Sequence, residues 1–251
     1  MFSSIASGVS VGLGAAGALG LMAGACAYAA MWPASQIFGS TLIAPQRPDE
    51  LALTFDDGPN PAWTPRLLDI LSQHGVKATF FLVGHFAEAE PRLTRSIADG
   101  GHLVGNHSWS HPNLARTATR RVREELERTS TTLEQITGKR VQYFRPPFGA
   151  RRPAVLRTAR ALGMTPVMWN AMTSDWALRA SGRIALNLVE KIDAHHRRGR
   201  AANIVLHDGS HHGLNADRGP SVAAADQLLM RYARLKTFVT VDAWPPAVQL
   251  V

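Results

Sequence analysis

Two aspartates stand side by side, Asp56 and Asp57, where the apolar run Leu51 to Phe55 of LALTFDDGPNP ends in a Gly-Pro turn. Side chains alternate faces along a strand, so neighbouring carboxylates should point different ways, and a buried pair is costly unless something cationic compensates. Two adjacent acids therefore suggest two different tasks. Downstream, GNHSWSHPNL places His107 and His111 four apart, with Pro112 behind them. That spacing puts two imidazoles on one side of a single helical turn, at the separation that adjacent coordination sites of a metal require, and the proline marks the end of the turn. Two histidines and an aspartate from another strand end make a three-ligand N/O site with open positions, the pattern of a catalytic metal. Alone, DDGP marks a turn and H-x-x-x-H is a weak signal; the elements that bring them together decide the matter.

After Ala44 short β-rich runs alternate with helical periods. The strand candidates are Leu51 to Phe55, Ala78 to Val83, His102 to Gly105, Val141 to Phe144, Thr165 to Trp169, Asn203 to Leu206 and Phe238 to Val241. Between them the pattern predicts helices over Thr64 to His74, Pro91 to Asp99, Thr119 to Thr137, Pro153 to Leu162, Arg183 to Arg198 and Ser221 to Lys236, several opened by proline and closed by glycine. Strand and helix in repeated alternation predict an α/β fold with a parallel sheet, a distorted (β/α) barrel of about seven strands whose chemistry collects at the carboxyl ends of the strands. There stand Asp56 and Asp57 after the first strand, His107 and His111 after the third, Arg145 after the fourth, Asp175 and Trp176 shortly after the fifth, and His207 and Asp208 closing the sixth.

At 251 residues the chain can bury a sizeable core, and no linker divides it after residue 45. The formal charge of +8 is carried mostly by arginines spread over several helices, the pattern of solvated helix faces, and no nucleic-acid-binding signature accompanies it, so no nucleic-acid partner is expected. From Met1 to Gln46 there is no charged side chain, and residues 5–32 are long enough to cross a bilayer. Residues 1–44 are expected to be a signal-anchor or transmembrane segment with a short linker, outside the fold, and residues 45–251 the catalytic domain. The domain then sits outside the cytoplasm at the cell envelope, held to the membrane by the segment, or is secreted if the segment is cleaved. Cys26, the only cysteine, lies in this segment, which leaves the body of the protein no disulfide and no thiolate metal site.

TFDDGP, HSWSH with Pro112, RPPFG at Arg145 to Gly149, LHD at Leu206 to Asp208, and ATFFLVG at residues 78–84 together resemble the successive motifs of the polysaccharide deacetylases, carbohydrate esterase family four or the NodB-homology domain. The resemblance runs from about residue 50 to 245. It implies that Asp57, His107 and His111 hold a divalent metal, most commonly Zn2+ with Co2+ or another first-row ion as alternatives, while Asp56 acts as general base on the ion's water. It further implies that Arg145 orients and ionises that base, that the Phe148 backbone N–H completes an oxyanion hole, that His207 is the general acid, and that Leu206 and Trp176 line the acetyl pocket. Asp175 is expected to orient His207. His211 and His212 have no counterpart in the motif and are expected at the surface. One departure is Met172, which stands where many relatives carry an extra aspartate. The implied activity is metal-dependent removal of acetyl groups from N-acetylated amino sugars of a polysaccharide such as peptidoglycan or chitin. O-deacetylation of acetylxylan and a catalytically inactive carbohydrate-binding relative are the alternatives.

Overall fold

The computed structural model describes residues 24–244. At its centre β1 (Glu50–Gly58) is buried from its second residue onward, because both faces of this parallel sheet are covered. It pairs in parallel with β2 (Thr79–Leu82) on one edge and β7 (Ala202–His207) on the other. Beyond β2 follow β3 (Leu103–Asn106), β4 (Tyr143–Phe144) and β5 (Thr165–Pro166), and beyond β7 lies β6 (Ala171–Met172), so seven strands form an open arc in the order β5-β4-β3-β2-β1-β7-β6. An eighth, β8 (Thr237–Val239), joins the first residues of β1, below the point where β2 begins to pair. This is a distorted half-barrel, consistent with the expected (β/α) barrel. Among the described residues the ladder does not close from β5 to β6.

The helices are α1 (Thr64–Gln73), α2 (Gly84–Ala89), α3 (Pro91–Asp99), α4 (Thr119–Thr137), α5 (Pro153–Ala161), α6 (Ser181–Arg197) and α7 (Gly219–Tyr232). Proline in the first turn opens α1, α3, α5 and α7, where its missing N–H is no loss. Gly138, at a φ of 69°, stops α4 in the left-handed conformation that glycine adopts without penalty. Leu67 and Leu71 of α1, Val122, Leu126 and Leu133 of α4, and Leu228 and Leu229 of α7 bury one core with Leu51, Leu53 and Phe55 of β1. The periodicity expects neither α2, at six residues, nor β6, at two.

The chain ahead of β1 is part of this packing. Residues 24–31 are helical, and Ala29, Leu42 and Ala44 are buried. Leu42 forms a parallel bridge with Val167, just past the end of β5 at Pro166, which is shorter than the strand expected over Thr165 to Trp169. Arg151 is fully buried, and its guanidinium donates to the carbonyls of Trp32 (2.6 Å), Ser35 (3.0 Å) and Gly149 (3.1 Å) while its backbone N–H donates to Ala30 O (3.1 Å). The expected boundary at residue 45 therefore falls inside packed structure, because a buried arginine needs those carbonyls to replace its water. Most of the apolar segment 5–32 lies outside the described residues. Among those described, no helix is long and apolar enough to cross a membrane.

Candidate active site

The end of β1 departs from strand alternation at the residue that matters. Asp57 has a φ of 69°, and the pairing of β1 with β2 slips between Asp56 and Gly58. The two neighbouring carboxylates thereby reach one place instead of opposite faces: Asp57 Oδ1 lies 3.4 Å and Asp56 Oδ2 3.9 Å from His107 Nε2. Their surroundings then separate them. Asp56 Oδ1 accepts a 2.7 Å hydrogen bond from Arg145, whose guanidinium is fully buried, stacks over Phe81 and also donates to Thr54 Oγ1. Asp57 has no arginine; its Oδ1 faces His107 and His111, the latter at 3.1 Å. Burial alone would raise the Asp57 carboxyl, but His107, His111 and His211 around it hold it well below the usual carboxylate range.

The loop after β3 holds the two histidines without the helical turn expected from their spacing. Ser108 and His111 both have positive φ, 65° and 55°. The loop is pinned from within: Asn106 accepts from the Ser108 N–H and donates to Leu126 O of α4, Ser108 Oγ accepts from the His111 N–H, and buried Glu125 accepts from the backbone and hydroxyl of Ser110. His107 Nδ1 donates to Arg145 O at 2.8 Å, which fixes its tautomer and leaves the Nε2 lone pair free. Burial lowers the His111 imidazole below its ordinary value against the pull of Asp57, which favours the uncharged ring that can ligate.

At the end of β4, Phe148 has a φ of 58° in a turn whose backbone bonds start from Gly149 and Ala150, not from its own N–H. Asp57, Ser108, His111 and Phe148 are the non-glycine residues with left-handed backbone among those described, and all four stand here. Each such conformation costs on the order of 1–3 kcal/mol, which persists only where the surroundings enforce it.

Across the cavity, His207 Nδ1 and Asp175 Oδ1 are 2.8 Å apart, and the other Asp175 oxygen accepts from the His207 N–H and from Ser221 Oγ. Burial by itself lowers the His207 pKa. The Asp175 ion pair and hydrogen bond, with Asp57 and Asp56 behind them, outweigh it and push the pKa up to about 9. Trp176, half-exposed, meets the His207 ring edge-on at 5.1 Å. Leu206 is a correction: strand alternation turns it into the core, while Val205 and His207 line the cavity with Trp169 and Met172. His211 is a second correction, for it stacks on His111 at 4.4 Å and stands 3.6 Å from Asp57. Its neighbour His212 also lines the cavity. Their position after LHD carried no periodic signal; the loop after β7 passes tightly over the end of β1, where a Cβ on Gly58 would lie 2.6 Å from Asp208 Oδ2 and one on Gly209 would overlap the Asp57 carbonyl. Asp208 is buried there under the Thr64 hydroxyl, which donates to it, and burial raises its pKa to about 7.

The cavity that joins these groups has a volume of about 590 Å³. Asp57, His107 and His111 offer one ligand atom each within 4.8 Å of one another, all buried, and Asp57 Oδ1 has no hydrogen-bond partner. An unpaired buried carboxylate oxygen facing two imidazole nitrogens fits a divalent cation, and the N/N/O donor set suits a first-row ion.

A family model described as polysaccharide deacetylase matches residues 44–167. The chitooligosaccharide deacetylase of Azorhizobium caulinodans is 36% identical over 174 residues, which span 69% of this chain and 80% of that one. The chain belongs to the polysaccharide deacetylase family. The peptidoglycan-N-acetylglucosamine deacetylase of Bacillus cereus is 40% identical over 145 residues, 58% of this chain, and the match spans only about half of that relative, 53%. Among solved structures, a family 4 carbohydrate esterase pseudoenzyme from Bacillus anthracis superimposes with a TM-score of 0.71 at 26% identity, covering 82% of this chain and 68% of that one. A pseudoenzyme shares this fold, so the site residues must carry any functional argument.

Proposed function

We propose that this chain is a metal-dependent hydrolase that removes acetyl groups from N-acetylglucosamine-type residues of a cell-envelope or extracellular polysaccharide. One observation carries the reading: a buried Asp57/His107/His111 donor set shares one cavity with an aspartate held by arginine and a histidine held by aspartate. A divalent cation bound at that set, zinc first among candidates, supplies Lewis acidity that polarises an amide carbonyl and makes water acidic enough for a carboxylate to deprotonate. Asp56, held and aimed by Arg145, takes that proton. The free Phe148 N–H donates to the negative charge that develops on the carbonyl oxygen. His207, kept protonated by Asp175, gives its proton from Nε2 to the departing amine, since an amide nitrogen leaves only when protonated. Val205, Met172 and Trp169 wall the acetyl group, and the exposed face of Trp176 offers a platform for the sugar ring.

The uncharged, largely apolar residues 5–23, ahead of the packed strap, support a membrane anchor that keeps the catalytic domain at the cell envelope. The names of the relatives support N-acetylated polymers as substrates. Acetate release from chitooligosaccharides, peptidoglycan and acetylxylan, measured on one purified preparation with zinc supplied, tests the substrate class. Release from either N-acetylated polymer is expected, and release from acetylxylan alone would overturn it.

A further inference from the structure

The three residues of the donor set are not supported alike. His107 has an ordinary backbone and a partner of its own, since its Nδ1 donates to Arg145 O at 2.8 Å. His111 and Asp57 both hold left-handed backbone, φ 55° and 69°, and the inner atoms His111 Nδ1 and Asp57 Oδ1 have no hydrogen-bond partner. The ring of His211, on the loop after β7, stands against these two. It stacks on His111 with centroids 4.4 Å apart and planes 14° from parallel, and its Nδ1 lies 3.6 Å from Asp57 Oδ2, the carboxylate oxygen other than the one facing His107 and His111. Phe148 meets the ring edge-on at 5.4 Å, and His212 covers it at 4.0 Å.

We propose that His211 is a positioning residue for the metal centre, bracing His111 through its ring face and the Asp57 carboxylate through its edge. The inference rests on the reading that Asp57, His107 and His111 hold a divalent cation. Metal affinity depends on ligands being held in place before the ion arrives, and partners that orient a ligand from behind matter nearly as much as the ligands. Strained backbone at Asp57 and His111 makes their side chains the ones most in need of such partners. The brace comes from the same strand end as His207, so the loop that carries the acid also fixes the ion against which the acid works. His211 takes no part in proton transfer in this scheme, and its contribution is read in metal binding.

The test uses the full-length chain, as wild type, His211→Ala, His211→Phe, His211→Asn and His212→Ala, each checked for folding by thermal melting. Zinc affinity is measured by competition with a chromophoric chelator, and the Co2+-substituted proteins are compared by visible absorption. His211→Ala should weaken zinc binding by about 10- to 100-fold and alter the cobalt spectrum, as loss of an outer-shell partner does. His211→Phe keeps the stacked ring and His211→Asn keeps a donor towards Asp57, so each should recover part of the affinity. His212→Ala should stay within about twofold of wild type, because it touches no ligand. Zinc bound equally tightly by wild type and His211→Ala, with unaltered cobalt spectra, overturns the inference and leaves the donor-set reading standing. X-ray absorption that counts one imidazole fewer in His211→Ala also overturns it, since His211 would then be a ligand. A wild-type chain that takes up no zinc overturns the donor-set reading and this inference with it.

Discussion

Asp175 touches no substrate in the proposed reaction, yet it decides the charge of the group that does. His207 must be protonated to release an amine, and the nearby carboxylates push its pKa up to about 9, so activity should fall as pH rises through that group. A cation at Asp57 cancels part of the carboxylates' field, which places the alkaline limb of the loaded enzyme below that value. Asp175→Asn removes the leading upward influence while burial, which lowers the pKa, remains. The alkaline limb of its pH–rate profile should therefore move to lower pH, with a loss of about 10- to 100-fold at mildly alkaline pH, a part of what a general acid supplies. An unmoved limb would show that another group donates the proton. The same scale separates the paired aspartates: Asp56 is held by Arg145, while Asp57 faces the ring nitrogens of His107 and His111, and the proposed base and ligand roles rest on that difference.

Between residue and molecule stands the strap of residues 24–44. Arg151 ties its carbonyls to the turn that carries Phe148, and among the described residues no carboxylate shares that guanidinium, whose contacts there are all backbone oxygens. Arg151→Met should lower stability by about 3 kcal/mol, because it strands buried carbonyls that bonded to a charged donor. Denaturant unfolding checks this, and a change under 0.5 kcal/mol, the size of an ordinary surface substitution, would mean the strap is only laid against the domain. The sequence does not announce this contact: Arg151 reads as one more basic residue, and its carbonyl partners carry no side-chain signal. By contrast α3 and α4 were legible to the residue, since proline, glycine and apolar period agree there. The strand ends were legible as places of chemistry, but the positive φ at Asp57, Ser108 and His111 was not, because tertiary contacts impose it against local preference. Leu206 and His211 were misjudged for one reason: which face a strand-end residue presents depends on sheet register and on the path of the following loop.

For the whole molecule, the donor set joins the end of β1 to the loop after β3, and binding an ion there should stabilise the native chain by mass action. Zinc at a hundredfold excess over its dissociation constant should add about 2.7 kcal/mol, and chelation should remove it. In a melting experiment this is a shift of roughly 5–10 °C for a domain of this size. A metal-independent melting temperature would argue against a site that folding has prepared. The central claim is that a cation-holding site and a separate base lie side by side at one strand end, and metal content and acetate release measured on the same Asp56→Asn preparation test it most directly. The account predicts zinc bound as in wild type with acetate release from N-acetylglucosamine oligomers reduced about 10²- to 10⁴-fold, because Asp56 moves a proton and holds no ion. Undiminished release by Asp56→Asn, or loss of its zinc, would contradict it.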